Sequence, residues 1–286
     1  MPEMITSAKN EKLRNVLLLQ KKKKAREEQG LFVIEGLRIF EDALRSAPER
    51  IEHIYLSGSF SESPAWLNLC GKMSGRADGS AVSEKTVSRL LHNNDIITTV
   101  SDEVFGKISE TVTPQGILCV MRMKNCEYAE LDKSRLLLLE NIQDPGNLGT
   151  MVRTAEAAGI TGIIMSGDTA DIYSPKVTRS TMGSIFRMSF LYSGDFCGTI
   201  DKLKEDGVTV YGAYLKNGRP YAGIKYRSPF AILIGNEGNG ISDAAIERVS
   251  ERVFIPMHGE IESLNAAIAA SVLMYRASED TFDPEG

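Results

Sequence analysis

Cysteine is scarce in this sequence, and none of it forms a motif. Cys70, Cys119, Cys126 and Cys197 stand far apart, so they offer neither a C-x-x-C zinc site nor a thioredoxin-like centre. Four scattered thiols in 286 residues suit a reducing compartment better than a disulfide scaffold. The three histidines, His53, His92 and His258, are equally dispersed, with no H-E-x-x-H among them; core or surface roles outweigh metal ligation, and no metal is expected. No apolar run approaches the ~18–20 residues of a membrane span. The charged N-terminus lacks the apolar core of a signal peptide, so a cytoplasmic location is expected. Three nucleotide or hydrolase signatures are also missing. There is no G-x-G-x-x-G, the glycine string GNEGNG at 235–240 having the wrong order. Neither G-x-x-x-x-G-K-[ST] nor G-x-S-x-G occurs, which leaves the dinucleotide, P-loop and α/β-hydrolase readings without motif support.

What is present is an ordinary globular composition, 42% apolar and 25% charged. The length exceeds a domain of about 100–150 residues, so two domains are expected. Net charge is −5 but unevenly spread: 18 basic against 16 acidic residues up to position 125, then 15 against 22. The first 30 residues carry eight basic and four acidic side chains, Lys21–Lys24 among them. An acidic body with a basic arm can still hold a polyanion locally, although a lysine run is equally at home on a solvated helix face.

The pattern predicts alternating elements throughout. A helix over 10–29, strands at 31–36, 51–58 and 116–123, and helices at 37–47, 61–73 and 83–91 make a first α/β sandwich. The polar stretch 124–134 has no period and reads as a linker, which sets the domains at 1–125 and 126–286. The second half predicts strands at 135–140, 162–166, 208–214, 230–235 and 253–255. Its helices are expected at 147–158, 175–182, 198–206, 242–250 and 264–277. The strands are continuous apolar runs, as in a mostly parallel sheet covered on both faces. The acidic last residues, SEDTFDPEG, read as a frayed tail.

Three segments carry polar groups that a plain crossover does not need. LLLLENIQDPGNLGTMVRTAEAAG (136–159), AILIGNEGNGIS (231–242) and VFIPMHGEIESLNAAIAA (253–270) each run from strand through a glycine-bearing loop to a helix. In a parallel sheet all three loops open on one edge, where open α/β sheets bind ligands. They would bring together Asn147, Arg153, Glu237, Ser263 and Asn265, a few polar groups among apolar walls. Plainer roles compete: Asn147 as a helix cap, Arg153 as a surface partner of Asp144 or Glu156, Glu237 as a solvated acid, Ser263 as an N-cap.

In order and spacing, DPGNLGTMVRTAEAAG (144–159), LIGNEGNGIS (233–242) and IPMHGEIESLNAAIAA (255–270) resemble the three motifs of the SpoU (TrmH-like) family of RNA ribose methyltransferases. The likeness continues through YSPKVTRSTMGSIFRM (173–188) and covers 135–277. FVIEGLRIFEDAL (32–44) and TPQGILCV (113–120) resemble, more weakly, the substrate-binding domain that often precedes it. The resemblance implies a trefoil knot at the carboxyl edge of the sheet, an S-adenosylmethionine site and a homodimer. It implies that Gly235, Ile255 and Leu264 hold the cofactor, while Asn147, Arg153, Glu237, Ser263 and Asn265 form the catalytic and RNA-facing set. The implied reaction moves a methyl group to a ribose 2′-hydroxyl of structured RNA, ribosomal RNA first and transfer RNA as an alternative. RNA would be gripped by the N-terminal arm, by the first domain or by local basic residues such as Lys176, Arg179 and Arg187, with an affinity that falls steeply with salt. Other readings are a base methyltransferase and a non-catalytic ribosome-assembly factor on the same fold.

Overall fold

The computed structural model describes residues 4–73, 96–124 and 126–279. They fall into two compact units: the chain up to Met123 together with Tyr173–Phe186, and Lys124–Ile172 together with the chain from Arg187 onward. The expected helix over 83–91 and the tail from 280 lie outside the described residues, but the first residue of the expected frayed tail, Ser278, is buried at the end of the last helix and Glu279 pairs with Arg276.

The first unit runs α1 (Glu11–Lys21), α2 (Lys23–Gln29), β1 (Leu31–Glu35), α3 (Leu37–Ser46), β2 (Ile51–Ser57), α4 (Gly58–Ser61), α5 (Pro64–Met73), β3 (Ile97–Val100), α6 (Asp102–Ile108) and β4 (Ile117–Arg122). Its sheet has the order β1-β4-β2-β3. β4 is antiparallel to both neighbours and β3 is parallel to β2. Leu13, Val16 and Leu19 of α1 pack with Val104 and Phe105 of α6 against Val33 and Val120 of the sheet. The single helix expected over 10–29 is two, because Lys22 is extended (φ −122°, ψ 112°). Four consecutive lysines repel one another there, and the buried Arg26 guanidinium donates to the Leu19 and Gln20 carbonyls at the end of α1. β3 and α6 escaped sequence analysis, being too short for a period to show.

The second half continues with β5 (Arg135–Leu139), α7 (Pro145–Ala157), β6 (Gly162–Ser166) and α8 (Pro175–Ser180), which packs on β1 in the first unit. Then come β7 (Phe190–Ser193), α9 (Phe196–Glu205), β8 (Thr209–Ala213), β9 (Arg219–Pro220), β10 (Phe230–Ile234), α10 (Asp243–Ile246), β11 (Glu251–Phe254) and α11 (Ala266–Ser278). The sheet order is β7-β6-β5-β10-β8-β11-β9, and every pair is parallel. Leu136–Leu139 and Ala231–Leu233 are wholly buried, as the apolar runs require of strands covered on both faces.

Several expectations change here. β7 and β9 are additional strands, too short to carry a pattern. α10 is one turn rather than the helix expected over 242–250. The stretch 124–134 belongs to the second unit: Cys126 and Leu131 are buried in its core, and the ammonium groups of Lys133 and Lys202 lie 4.5 and 4.1 Å from the centre of the Tyr128 ring. A region without period can still be anchored by single apolar residues.

Candidate active site

The parallel register sets the site. Leu139 pairs with Ile234 and Ala213 with Val253, so the carboxyl ends of β5, β10, β8 and β11 lie along one edge, with β5 and β10 level. The loops after β5, β10 and β11 leave from that edge. Pro145 sits at the start of α7, where its missing N–H is not needed, and Asp144 caps the helix by accepting from the Asn147 N–H at 2.8 Å. Asn147 is therefore not the cap. Its side chain is one turn inside and turned outward to the other two loops.

Those loops are joined by one chain of hydrogen bonds. Asn147 Nδ2 donates to Glu237 Oε1 at 3.0 Å, and Asn147 Oδ1 accepts from Asn265 Nδ2 at 2.9 Å. Asn265 Oδ1 accepts from the Ala267 and Ile268 N–H groups and so caps α11. The polarity is self-consistent. An ionised carboxylate only accepts, so Asn147 presents its amide nitrogen to Glu237 and its oxygen to Asn265. Glu237 also accepts from the backbone N–H groups of Asp144 (3.0 Å) and Gln143 (3.1 Å). Burial pushes the Glu237 carboxyl up, but the donors from Asn147, Gln143 and Asp144 outweigh it and hold the group below its ordinary value. A carboxylate so held ties loops together and is a poor proton acceptor.

Beside this chain lies a cavity of about 880 Å³. Ile234, Val253 and Leu273 give it apolar walls, and Gly235, Glu237, Ile255, Ser263 and Leu264 also line it. A side chain at Gly235 would lie 2.2 Å from the Gly240 carbonyl carbon, so glycine is needed where the loop turns back over the strand end. No backbone group of residues 257–264 pairs with another described backbone group. The cavity thus offers apolar walls and free main-chain donors and acceptors, a set that suits a heterocycle with a polar edge.

Two expected residues stand differently. Ser263 lines the cavity but does not open a helix; Asn265 does, two residues later, because the chain stays irregular through Leu264. Arg153 is exposed on α7, about 9 Å along the helix from Asn147, and does not line the cavity. It has no hydrogen bond or ion pair among the described residues. Glu156 is engaged by Arg187 (3.0 Å) and Asp144 by the helix start, so neither anticipated surface pair exists.

Sequence analysis passed over three supporting residues. Asn236 donates to the Asn141 carbonyl (2.8 Å) and accepts from the Gly238 and Asn239 N–H groups, the Asx turn that GNEGNG should have suggested. Gln143 donates to the Asp168 carbonyl at 2.7 Å. Glu140 accepts from the Ser242 N–H and hydroxyl. Among the described residues no cluster of three or more His, Cys, Asp or Glu could hold a metal.

A parallel α/β unit with a cavity built from the loops after three strands, and a polar lattice beside it, is the arrangement in which open α/β sheets bind small-molecule ligands. Residues 134–275 match the SpoU rRNA Methylase family, and residues 10–119 match an MRM3-like substrate binding domain. The chain is 34% identical to the 23S rRNA (guanosine(2553)-2'-O)-methyltransferase RlmP of Bacillus subtilis, over 96% of this chain and 98% of that one. It resembles the crystal structure of an AdoMet-bound rRNA methyltransferase from Sinorhizobium meliloti with a TM-score of 0.78 and 26% identity, over 98% of this chain and 99% of that one. A crystal structure of an RNA 2'-O ribose methyltransferase aligns with a TM-score of 0.73 and 27% identity, over 98% and 99% of the two chains. The chain belongs to the SpoU rRNA methylase family.

Proposed function

We propose that the protein is an S-adenosylmethionine-dependent methyltransferase acting on a ribose 2′-hydroxyl of ribosomal RNA. The observation that carries this reading is the convergence of Asn147, Glu237 and Asn265 in one hydrogen-bond chain at the mouth of the 880 Å³ cavity. S-adenosylmethionine supplies an electrophilic methyl group on a sulfonium centre. Gly235, Ile255 and Leu264 hold it through main-chain groups and apolar contact, and the thread of a trefoil knot belongs to the same proposal. The protein's own part is alignment: the hydroxyl oxygen must approach the methyl carbon opposite the sulfur, so that the O–C bond forms as the C–S bond breaks, the cofactor leaves as its neutral thioether and the hydroxyl proton passes to solvent water; a fixed geometry supplies much of the rate. Glu237, Asn147 and Asn265 hold the loops that define that line, and Ser263 lines the cavity beside them, placed to meet substrate or cofactor. Arg153 grips an RNA phosphate through its planar guanidinium and stabilises the oxygen as negative charge develops on it.

The protein works as a cytoplasmic homodimer. Among the described residues no helix is long and apolar enough to cross a membrane. Ile268 and Tyr275, one heptad apart on α11, are 51% and 46% exposed, an apolar stripe that suits a second copy. Sedimentation at micromolar concentration should give a dimer, and I268D a monomer; a wild-type monomer would remove this part. The reading as a whole is tested by digesting 23S rRNA treated with protein and cofactor and weighing the nucleosides. A 2′-O-methyl nucleoside is expected. A methylated base, or methylation of transfer RNA alone, would replace the reading with one of its rivals.

A further inference from the structure

A second cavity, of about 150 Å³, lies within the first unit between the start of α3 and the turn after α8. Arg38, Gln115, Arg179 and Met182 line it, with Gly36 and Asp42. The volume is that of about five waters, room for one small planar group.

Its frame is fixed. The Glu35 carboxylate is buried and accepts from the Thr111 hydroxyl (2.7 Å) and the Glu110 N–H (3.0 Å). Gly36 has φ +112°, and Gln115 Oε1 accepts from the Leu37 N–H at 2.8 Å. That bond leaves the Gln115 amide nitrogen without a hydrogen bond among the described residues. Arg38 is exposed and has no ion pair or hydrogen bond among them either. Arg179 reaches Glu110 at a loose 3.5 Å.

Met182 is the anomaly. It is 40% exposed, and its φ is +51°, a conformation that an unbranched apolar side chain rarely adopts. Backbone strain at an exposed apolar residue brings the fold nothing, and glycine would be easier there, as at Gly183 beside it (φ +87°). Strain of this kind gathers where a ligand is met.

We infer that this cavity takes one unstacked nucleobase of the RNA substrate, its face against the Met182 thioether and its edge against Arg38, Gln115 and Arg179. Donors on three sides match a base rich in acceptors. Guanine, with O6 and N7 on one edge, is the best fit, because guanidinium groups address that pair directly. The near balance of Arg38 and Arg179 against Asp42 and Glu110 argues for a base rather than a phosphate. Single-stranded RNA is commonly read in this way, by unstacked bases lying on flat or polarisable side chains. The inference rests on the reading of the protein as an RNA methyltransferase and adds a recognition point remote in sequence from the three loops.

The test uses the full chain, a labelled U12 RNA carrying one central guanosine, an all-U12 control, and methylation of 23S rRNA. Wild type should prefer the guanosine-containing oligomer at least threefold. R38A and M182G should each erase that preference by weakening binding of the guanosine-containing oligomer at least threefold, while binding of the all-U oligomer and of S-adenosylmethionine is unchanged. M182G should also melt no lower than wild type, since glycine relieves the backbone. If M182G keeps full preference, Met182 is an ordinary loop residue and the inference falls. If wild type methylates 23S rRNA but shows no base preference, the inference falls and the enzymatic reading stands. If wild type neither methylates nor binds RNA, the reading itself has failed.

Discussion

Asn147 and Arg153 stand on the same helix, and sequence analysis gave both to one catalytic set, yet their surroundings are opposite. Asn147 is wired at both ends of its amide, to Glu237 and to Asn265. Arg153 is exposed and unpaired among the described residues. Asn147 is half-buried while Glu237 and Asn265 are exposed, so their bonds tie the three loops together rather than satisfy a buried group. A side chain that meets substrate must be left free until substrate arrives. The contrast separates scaffold from reactive group within six residues of sequence.

The largest effect that sharpens this contrast is R153A. Turnover should fall by about 10²–10³, the loss typical of a removed donor to developing negative charge. Cofactor affinity and thermal midpoint should not move; full activity in a methyl-incorporation assay would take Arg153 out of the reaction. E237A should behave in the opposite way, losing stability as well as activity. It leaves the half-buried Asn147 amide and two exposed backbone N–H groups to water, so the loss should be under about 1 kcal/mol, to be read from denaturant midpoints. A variant as stable as wild type would mean that the lattice does not hold the loops.

The Glu237 carboxyl also predicts a pH dependence. Its value is depressed in the fold, so its contribution is fully present above the ordinary carboxylate range, about pH 4–5, and is lost as pH falls below it. E237Q should flatten that acid limb. The smallest effect distinguishes the two duties of Asn265. N265S keeps a capping oxygen, and its stability should change by less than about 0.5 kcal/mol, but the bond to Asn147 is gone and turnover should drop severalfold. Equal losses in stability for N265S and N265A would show that capping is not what Asn265 contributes.

What the sequence made legible follows from the same physics. Leu136–Leu139 and Ala231–Ile234 are unbroken apolar runs, and a strand covered on both faces needs such a run, so the parallel sheet and the shared edge of the loops could be read directly. Glu237 and Asn265 were visible as polar residues with no core duty. What stayed hidden depends on three-dimensional alternatives. Ser263 and Asn265 are equally good caps on paper, and the path of the chain through Leu264 decides between them. The break at Lys22 depends on Arg26 folding back onto the carbonyls of α1. Whether Arg153 pairs with Glu156 depends on Arg187, which comes from 31 residues away.

The proposed cofactor site is the cavity between the loops after β10 and β11. Calorimetric titration of S-adenosylmethionine into the wild-type chain and into A269W, which fills that cavity from α11, tests it most directly. One site per chain in the wild type and none in A269W is the predicted result. Undiminished binding in a folded A269W, or no binding to the wild type, would contradict it.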